Sequence, residues 1–162
     1  MPVFGLTNGM IPIIAFNYGA RNKKRIYQTI KLSVALAVVI MLLGLVIFQL
    51  YPVTLLGLFE ASENMLAIWV PALQTISLSF IFAGFCIIIS SVFQALGNGV
   101  YSLIMSVARQ IVVILPVAFI FAKLFGLDMV WYSYPIAEMV SFLICVVLLQ
   151  RILRLKVRNL EN

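Results

Sequence analysis

Histidine is absent from the chain, and acidic residues are few: five Asp and Glu stand against eleven Lys and Arg. Without imidazole, histidine-ligated zinc and histidine acid–base chemistry are excluded. Charge of either sign is scarce, at 10% of residues, where soluble domains carry about 25%. Residues 32–59 and 64–108 contain no charged side chain. A helix needs only ~20 apolar residues to cross the hydrocarbon core of a bilayer, so both runs exclude an ordinary soluble fold. Only two cysteines occur, Cys86 and Cys145, each inside an apolar segment. That excludes a disulfide framework and suits small buried hydrophobes. No signal peptide is expected, because Met1 opens into an apolar stretch with no basic region before it.

What is present is apolar: 64% of residues are hydrophobic and the mean hydropathy is +1.17. The pattern predicts an all-α fold, a polytopic membrane helix bundle of four complete spans. Residues 1–20 read as the C-terminal part of a further membrane helix whose start is missing. The expected spans cover about 30–51, 65–96, 101–124 and 129–150, within a unit running over 21–158, and residues 159–162 form a tail. Gly97-Asn98-Gly99 and Gly126 to Asp128 mark turns, where Gly and Asn tolerate positive φ. Pro12, Pro71, Pro116 and Pro135 each remove one helix hydrogen bond, which reads either as hinges or as the ordinary proline content of membrane helices.

Four spans return the chain to the side on which it started. Arg21, Lys23, Lys24, Arg25 and Lys31 therefore share a face with Arg151, Arg154, Lys156 and Arg158. The opposite loops carry Glu60, Glu63 and Asp128, with Lys123 nearby and able to extend outward. By the positive-inside rule the basic face is cytoplasmic, in a cytoplasmic (inner) cell membrane. Membrane lipid is the expected neighbour of these basic clusters, and nucleic acid is not.

Polar residues inside apolar spans are costly, so their placement is informative. Ser77, Gly84 and Ser91 fall on one stripe, as expected of a seam where helices pack closely. Ser79, Ser90 and Gln94 gather on another side, either bridging helices or lining a cavity. On the next span Ser102, Ser106 and Arg109 share a face; on the last, Tyr134, Glu138, Ser141 and Cys145 do. At 1.5 Å per residue, Arg109 and Glu138 lie within ~6 Å of the same depth. They are expected to pair, either as a structural ion pair or as a proton or cation switch. Ser106, Tyr134 and Ser141 join Ser79, Ser90 and Gln94 as candidate cavity-lining residues. Glu138 is the only carboxylate deep in a span and no base stands beside Ser or Cys, so an enzyme is not expected. Neither metal nor cofactor is expected.

Four ordered motifs carry a family resemblance. Residues 9–20, Gly9-Met10-Ile11-Pro12-Ile13-Ile14-Ala15-Phe16-Asn17-Tyr18-Gly19-Ala20, precede the basic residues Arg21 to Arg25. This segment resembles a signature of the multidrug and toxic compound extrusion (MATE) transporters. Phe93-Gln94-Ala95-Leu96-Gly97, Arg109-Gln110 with Pro116, and Trp131 through Pro135-Ile136-Ala137-Glu138 are similar to further elements of that family, in order. Gly9, Pro12, Asn17, Tyr18, Gly19, Gln94 and Gly97 are the motif residues carried by the resemblance. It implies the C-terminal lobe of a twelve-helix, two-lobe antiporter that exchanges a coupling ion, H⁺ or Na⁺, for drugs. The partners it implies are small-molecule drugs and an N-terminal lobe of the same protein, and it implies that the fragment alone is inactive. The acidic residue that some members carry on the second complete span has no counterpart in residues 64–108. A lipid-linked oligosaccharide flippase of the same superfamily and a non-transporting membrane scaffold are the alternative readings.

Overall fold

Apolar residues on every side of a helix leave the backbone to satisfy its own polar groups, and in lipid only helices and closed barrels do so. The computed structural model, which describes residues 2–60, 62–158 and 160, is helical throughout and has no strand among those residues. Its elements are α1 (Pro2–Gly19), α2 (Lys23–Leu50), the short α3 (Pro52–Gly57), α4 (Glu63–Ser77), α5 (Phe80–Ala95), α6 (Gly99–Val107), α7 (Leu115–Phe125) and α8 (Ser133–Ile152). A wide π-helical segment, Ala108–Ile114, joins α6 to α7; a tight 3₁₀ segment, Leu127–Tyr132, leads into α8; and a second wide segment, Leu153–Val157, extends it. The expected tail at 159–162, except Leu160, and the side chains of Leu127 and Asp128 lie outside the described residues.

Three stretches are long and apolar enough to cross a membrane: Lys23–Leu50, Gly99–Phe125 and Met129–Val157. The pair α4 and α5 makes a fourth, bent by 53°. Helix α5 is the central element, packing against α1, α2, α6 and α8. Its Ile88, Ile89, Val92 and Phe93 are fully buried. Leu43, Leu103, Phe119, Leu143 and Val147 are exposed on other helices, an apolar outer surface of the kind that faces acyl chains.

Each expected span differs from the observed one for a local reason. The first begins at Lys23 instead of residue 30, because the Asn22 side chain accepts a hydrogen bond from the Arg25 N–H (3.1 Å) and caps the helix there. The basic cluster is therefore largely helical. The second is not one helix over 65–96. It breaks at Leu78 and Ser79, and not at Pro71, which stays inside α4. Gln49 of α2 explains the position of the break: its Nε2 donates to the Gln74 carbonyl (2.8 Å) and to Ser77 Oγ (3.0 Å), while Ser77 Oγ also donates to that carbonyl (2.8 Å). The carbonyl that Leu78 N–H would serve in a regular helix is thus satisfied by side chains.

The third span is a single membrane-length stretch widened at its middle. Pro116 has no N–H, and just before it the Leu115 N–H reaches Gln110 O, five residues back. The fourth runs beyond residue 150 through Val157. Gly97 adopts φ +73° and Gly126 φ +88°, so both expected turns use glycine where a side chain would be strained.

The two basic clusters meet at one end of the bundle. Lys23 Nζ donates to Arg158 O (3.2 Å), and Lys156 Nζ donates to Leu96 O (2.7 Å) while standing 5.8 Å from the centre of the Tyr18 ring. Lys156 thereby ties the motif residue Tyr18 to the turn at Gly97.

Candidate functional site

The small stripe on the second span behaves as a packing seam over most of its length. A Cβ on Gly84 would stand 2.8 Å from Met41 Cγ and 3.5 Å from Ala37 O of α2, so any side chain here must displace Met41. Ser77 meets Gln49 of the same helix. Ser91 departs from the expectation: it lines a cavity, its hydroxyl donating to Ile87 O (3.0 Å).

That cavity has a volume of about 270 Å³ and lies between α1, α5, α6 and α8. Ser90, Ser91 and Gln94 face it from α5; Ser102, Ser106 and Arg109 from α6 and the wide segment; Ser141 from α8. Ser90 Oγ and Ser102 Oγ share a 2.6 Å hydrogen bond, and Gln94 Nε2 donates to Ser102 Oγ at 2.9 Å. These bonds hold α5 to α6 across the Gly97 turn and build a wall of hydroxyl and amide groups.

Arg109 sits at the start of the widened segment. Its Nη1 donates to Glu138 Oε1 at 3.1 Å, the ion pair expected from depth and face. Glu138 is 8% exposed, and its second oxygen, Oε2, is buried without a hydrogen-bond partner. The hydroxyls of Ser106 and Tyr134, each about one turn from the pair along its helix, do not reach this carboxylate.

Two of the expected cavity residues lie elsewhere. Ser79 sits in the bend, where its hydroxyl donates to Ile76 O at 2.6 Å. The 53° bend removes it from the face that a straight helix would share with Ser90 and Gln94. Tyr134 is 38% exposed and away from the cavity, because it belongs to the first turn of α8 as the chain leaves the 3₁₀ segment. Ser102 is a wall residue that the candidate set omits, although its shared face with Ser106 and Arg109 is visible in the sequence. Phe4, Cys86 and Met105 complete the lining with Ile87; nothing in their residue types separates them from ordinary core. Among the motif residues, Gln94 reaches the cavity, Asn17 Nδ2 donates to its own helix at Ile13 O (2.8 Å), and a Cβ at Gly9 or Gly19 would meet nothing within 4 Å.

Among the described residues no three His, Cys, Asp or Glu cluster as a metal site would require. The arrangement can pair one buried carboxylate with one arginine and offer hydrogen bonds to a guest of modest size.

The MatE family profile matches residues 1–120. The chain belongs to the MatE family. This is a family of transporters and not of enzymes. The multidrug export protein MepA of Staphylococcus haemolyticus is 31% identical over 138 residues, which are 85% of this chain and 30% of that protein. The MATE multidrug transporter DinF-BH, whose structure is of a complex, is 32% identical, with a TM-score of 0.87 over 99% of this chain and 36% of that one. An inward-facing multidrug resistance MATE transporter of the MOP superfamily shares the fold at a TM-score of 0.90 and 23% identity, over 98% of this chain and 37% of that one. This MatE chain thus spans about a third of the length of the relatives it matches, and its all-α membrane bundle corresponds to part of their fold.

Proposed function

We propose that the chain is part of a cation-coupled multidrug antiporter of the cytoplasmic membrane, one that exports bulky, often cationic compounds by alternating access. The observation carrying the reading is the 31% identity to a multidrug export protein over 85% of the chain. The cavity adds support, since its hydroxyls and one amide can bond varied guests without demanding a particular charge. The bundle works against a second lobe, with the basic end facing the cytoplasm and membrane lipid around its apolar flank. By itself the chain does not transport, because alternating access rocks one repeat against another.

Within this reading the Arg109–Glu138 pair holds α8 in register with the widened segment. A specific observation also favours a coupling role: Oε2 of Glu138 is buried and unpartnered, and can take up the coupling proton. A flippase for pyrophosphate-linked lipids would require several cations in its cavity, and among the described residues Arg109 is the one cation that lines this one. The test is efflux by a full-length protein containing this chain, in a drug-sensitive host, with and without an ion gradient.

A further inference from the structure

Lys23, Lys24, Tyr27, Gln28 and Lys31 line a hollow of about 400 Å³ along the side of α2, away from the hydroxyl-walled cavity. Lys24, Gln28 and Lys31 recur at helical spacing on one face, with Lys23 and Tyr27 beside them. The hollow is fixed on one side: Lys23 donates to Arg158 O (3.2 Å), and Tyr27 packs against the core. An ammonium has three donors, so that bond leaves Lys23 two more. Among the described residues the one ion pair is Arg109–Glu138, and no carboxylate there neutralises these three lysines. Helix α2 opens Lys23-Lys24-Arg25 with no acidic residue in its first turn, where the helix dipole disfavours cations. An anion in the hollow is favoured by the dipole and by the lysines together.

Depth and the rest of the face say which anion. Residues 32–50 of α2 carry no charge and extend ~28 Å at 1.5 Å per residue, close to the ~30 Å hydrocarbon core of a bilayer. Lys31 therefore stands at the edge of that core, and Lys23 and Lys24 stand about two turns further out, among the headgroups. Toward the core, the face of Lys24, Gln28 and Lys31 continues through Ala35, Val39, Leu42 and Val46, all exposed. We propose that the hollow binds one anionic glycerophospholipid, its phosphate between Lys24 and Lys31 and an acyl chain along Val39, Leu42 and Val46. Lys23 and the Gln28 amide supply further donors to the headgroup. This site deepens the reading of lipid at the basic end of the bundle, and its readout is independent of drug efflux.

The experiment uses a full-length protein that contains this chain, in detergent, titrated with phosphatidylglycerol or phosphatidylcholine and followed by native mass spectrometry. Lys24→Gln with Lys31→Gln should lose one tightly held phosphatidylglycerol, with affinity for it falling roughly 30-fold. Lys24→Arg with Lys31→Arg should keep it, since guanidinium also binds phosphate. Arg21→Gln with Arg25→Gln removes the same charge from the same end of α2 but outside the hollow, and should change retention by less than about twofold. Phosphatidylcholine should not fill the site, and inorganic phosphate should not displace the lipid. Unchanged retention in the Lys24→Gln, Lys31→Gln protein, equal loss in the Arg21→Gln, Arg25→Gln protein, or equal filling by phosphatidylcholine overturns the proposal. Displacement by inorganic phosphate would overturn it in favour of a free-phosphate site. A phosphatidylglycerol with a photoreactive headgroup gives a readout on the unsubstituted protein: it should label the peptide covering residues 23–31, and absence of label there contradicts the site.

Discussion

Arg109 and Glu138 meet at 3.1 Å across two membrane-spanning helices, yet only one of the two carboxylate oxygens takes part. The widened turn that begins just before Arg109 sets this contact, and Pro116 seven residues on helps explain why the helix widens there. An unpaired charge at the middle of a bilayer costs about 2.5–3.5 kcal/mol on insertion scales. Arg109→Gln and Glu138→Gln should therefore each lower the yield of folded protein, and the exchanged pair Arg109→Glu with Glu138→Arg should restore part of it. Size-exclusion profiles in detergent read this directly. Normal folding of Glu138→Gln with loss of ion-driven efflux would instead assign the carboxylate to coupling.

Gly84 gives a prediction about packing alone. Leucine there must displace Met41 of α2, since even a Cβ would lie 2.8 Å from Met41 Cγ. Overpacking of this kind costs about 1–3 kcal/mol, so Gly84→Leu should lower the melting temperature in detergent. Adding Met41→Ala should recover part of the loss. A Gly84→Leu variant that melts like the parent would show that the α2–α5 seam is loose.

Most of this architecture is legible in the sequence, because charge-free runs and basic clusters report bilayer crossings directly. The Arg109–Glu138 contact is legible for the same reason: two ionisable groups at similar depth in lipid need each other. The bend at Leu78–Ser79 is not, since proline is the visible breaker and Pro71 does not break the helix. Its determinant is Gln49, on another span, whose amide serves the Gln74 carbonyl. That unseen bend also misplaces Ser79, because projection at 100° per residue holds only while the helix is straight. Ser77 and Ser91 show the reverse limit: both lie on one stripe of the sequence, yet the first packs against Gln49 and the second faces the cavity.

Gln49→Leu tests that account of the bend. Removing the amide leaves the Gln74 carbonyl with the Ser77 hydroxyl alone, and a buried polar group short of a partner costs about 1–3 kcal/mol. Thermal stability should fall by that order, and Gln49→Asn, whose shorter amide falls short of the carbonyl, should rescue little. Full stability of Gln49→Leu would remove Gln49 from the explanation.

Orientation is checked by labelling single cysteines placed at Lys24 and Ser62, both exposed. A membrane-impermeant maleimide added to intact cells should reach position 62 and not position 24. Equal labelling of both would overturn the four-crossing arrangement, and labelling of position 24 alone would invert it.

The central claim, that this MatE chain serves drug export, is tested most directly by accumulation of ethidium, a fluorescent organic cation, in a drug-sensitive host. Cells expressing a full-length protein that contains this chain should retain less ethidium than empty-vector cells, and collapse of the H⁺ and Na⁺ gradients should abolish the difference. The 162-residue chain alone should leave accumulation at the empty-vector level. Unchanged ethidium retention in cells that carry the full-length protein, folded and in the membrane, would contradict the account.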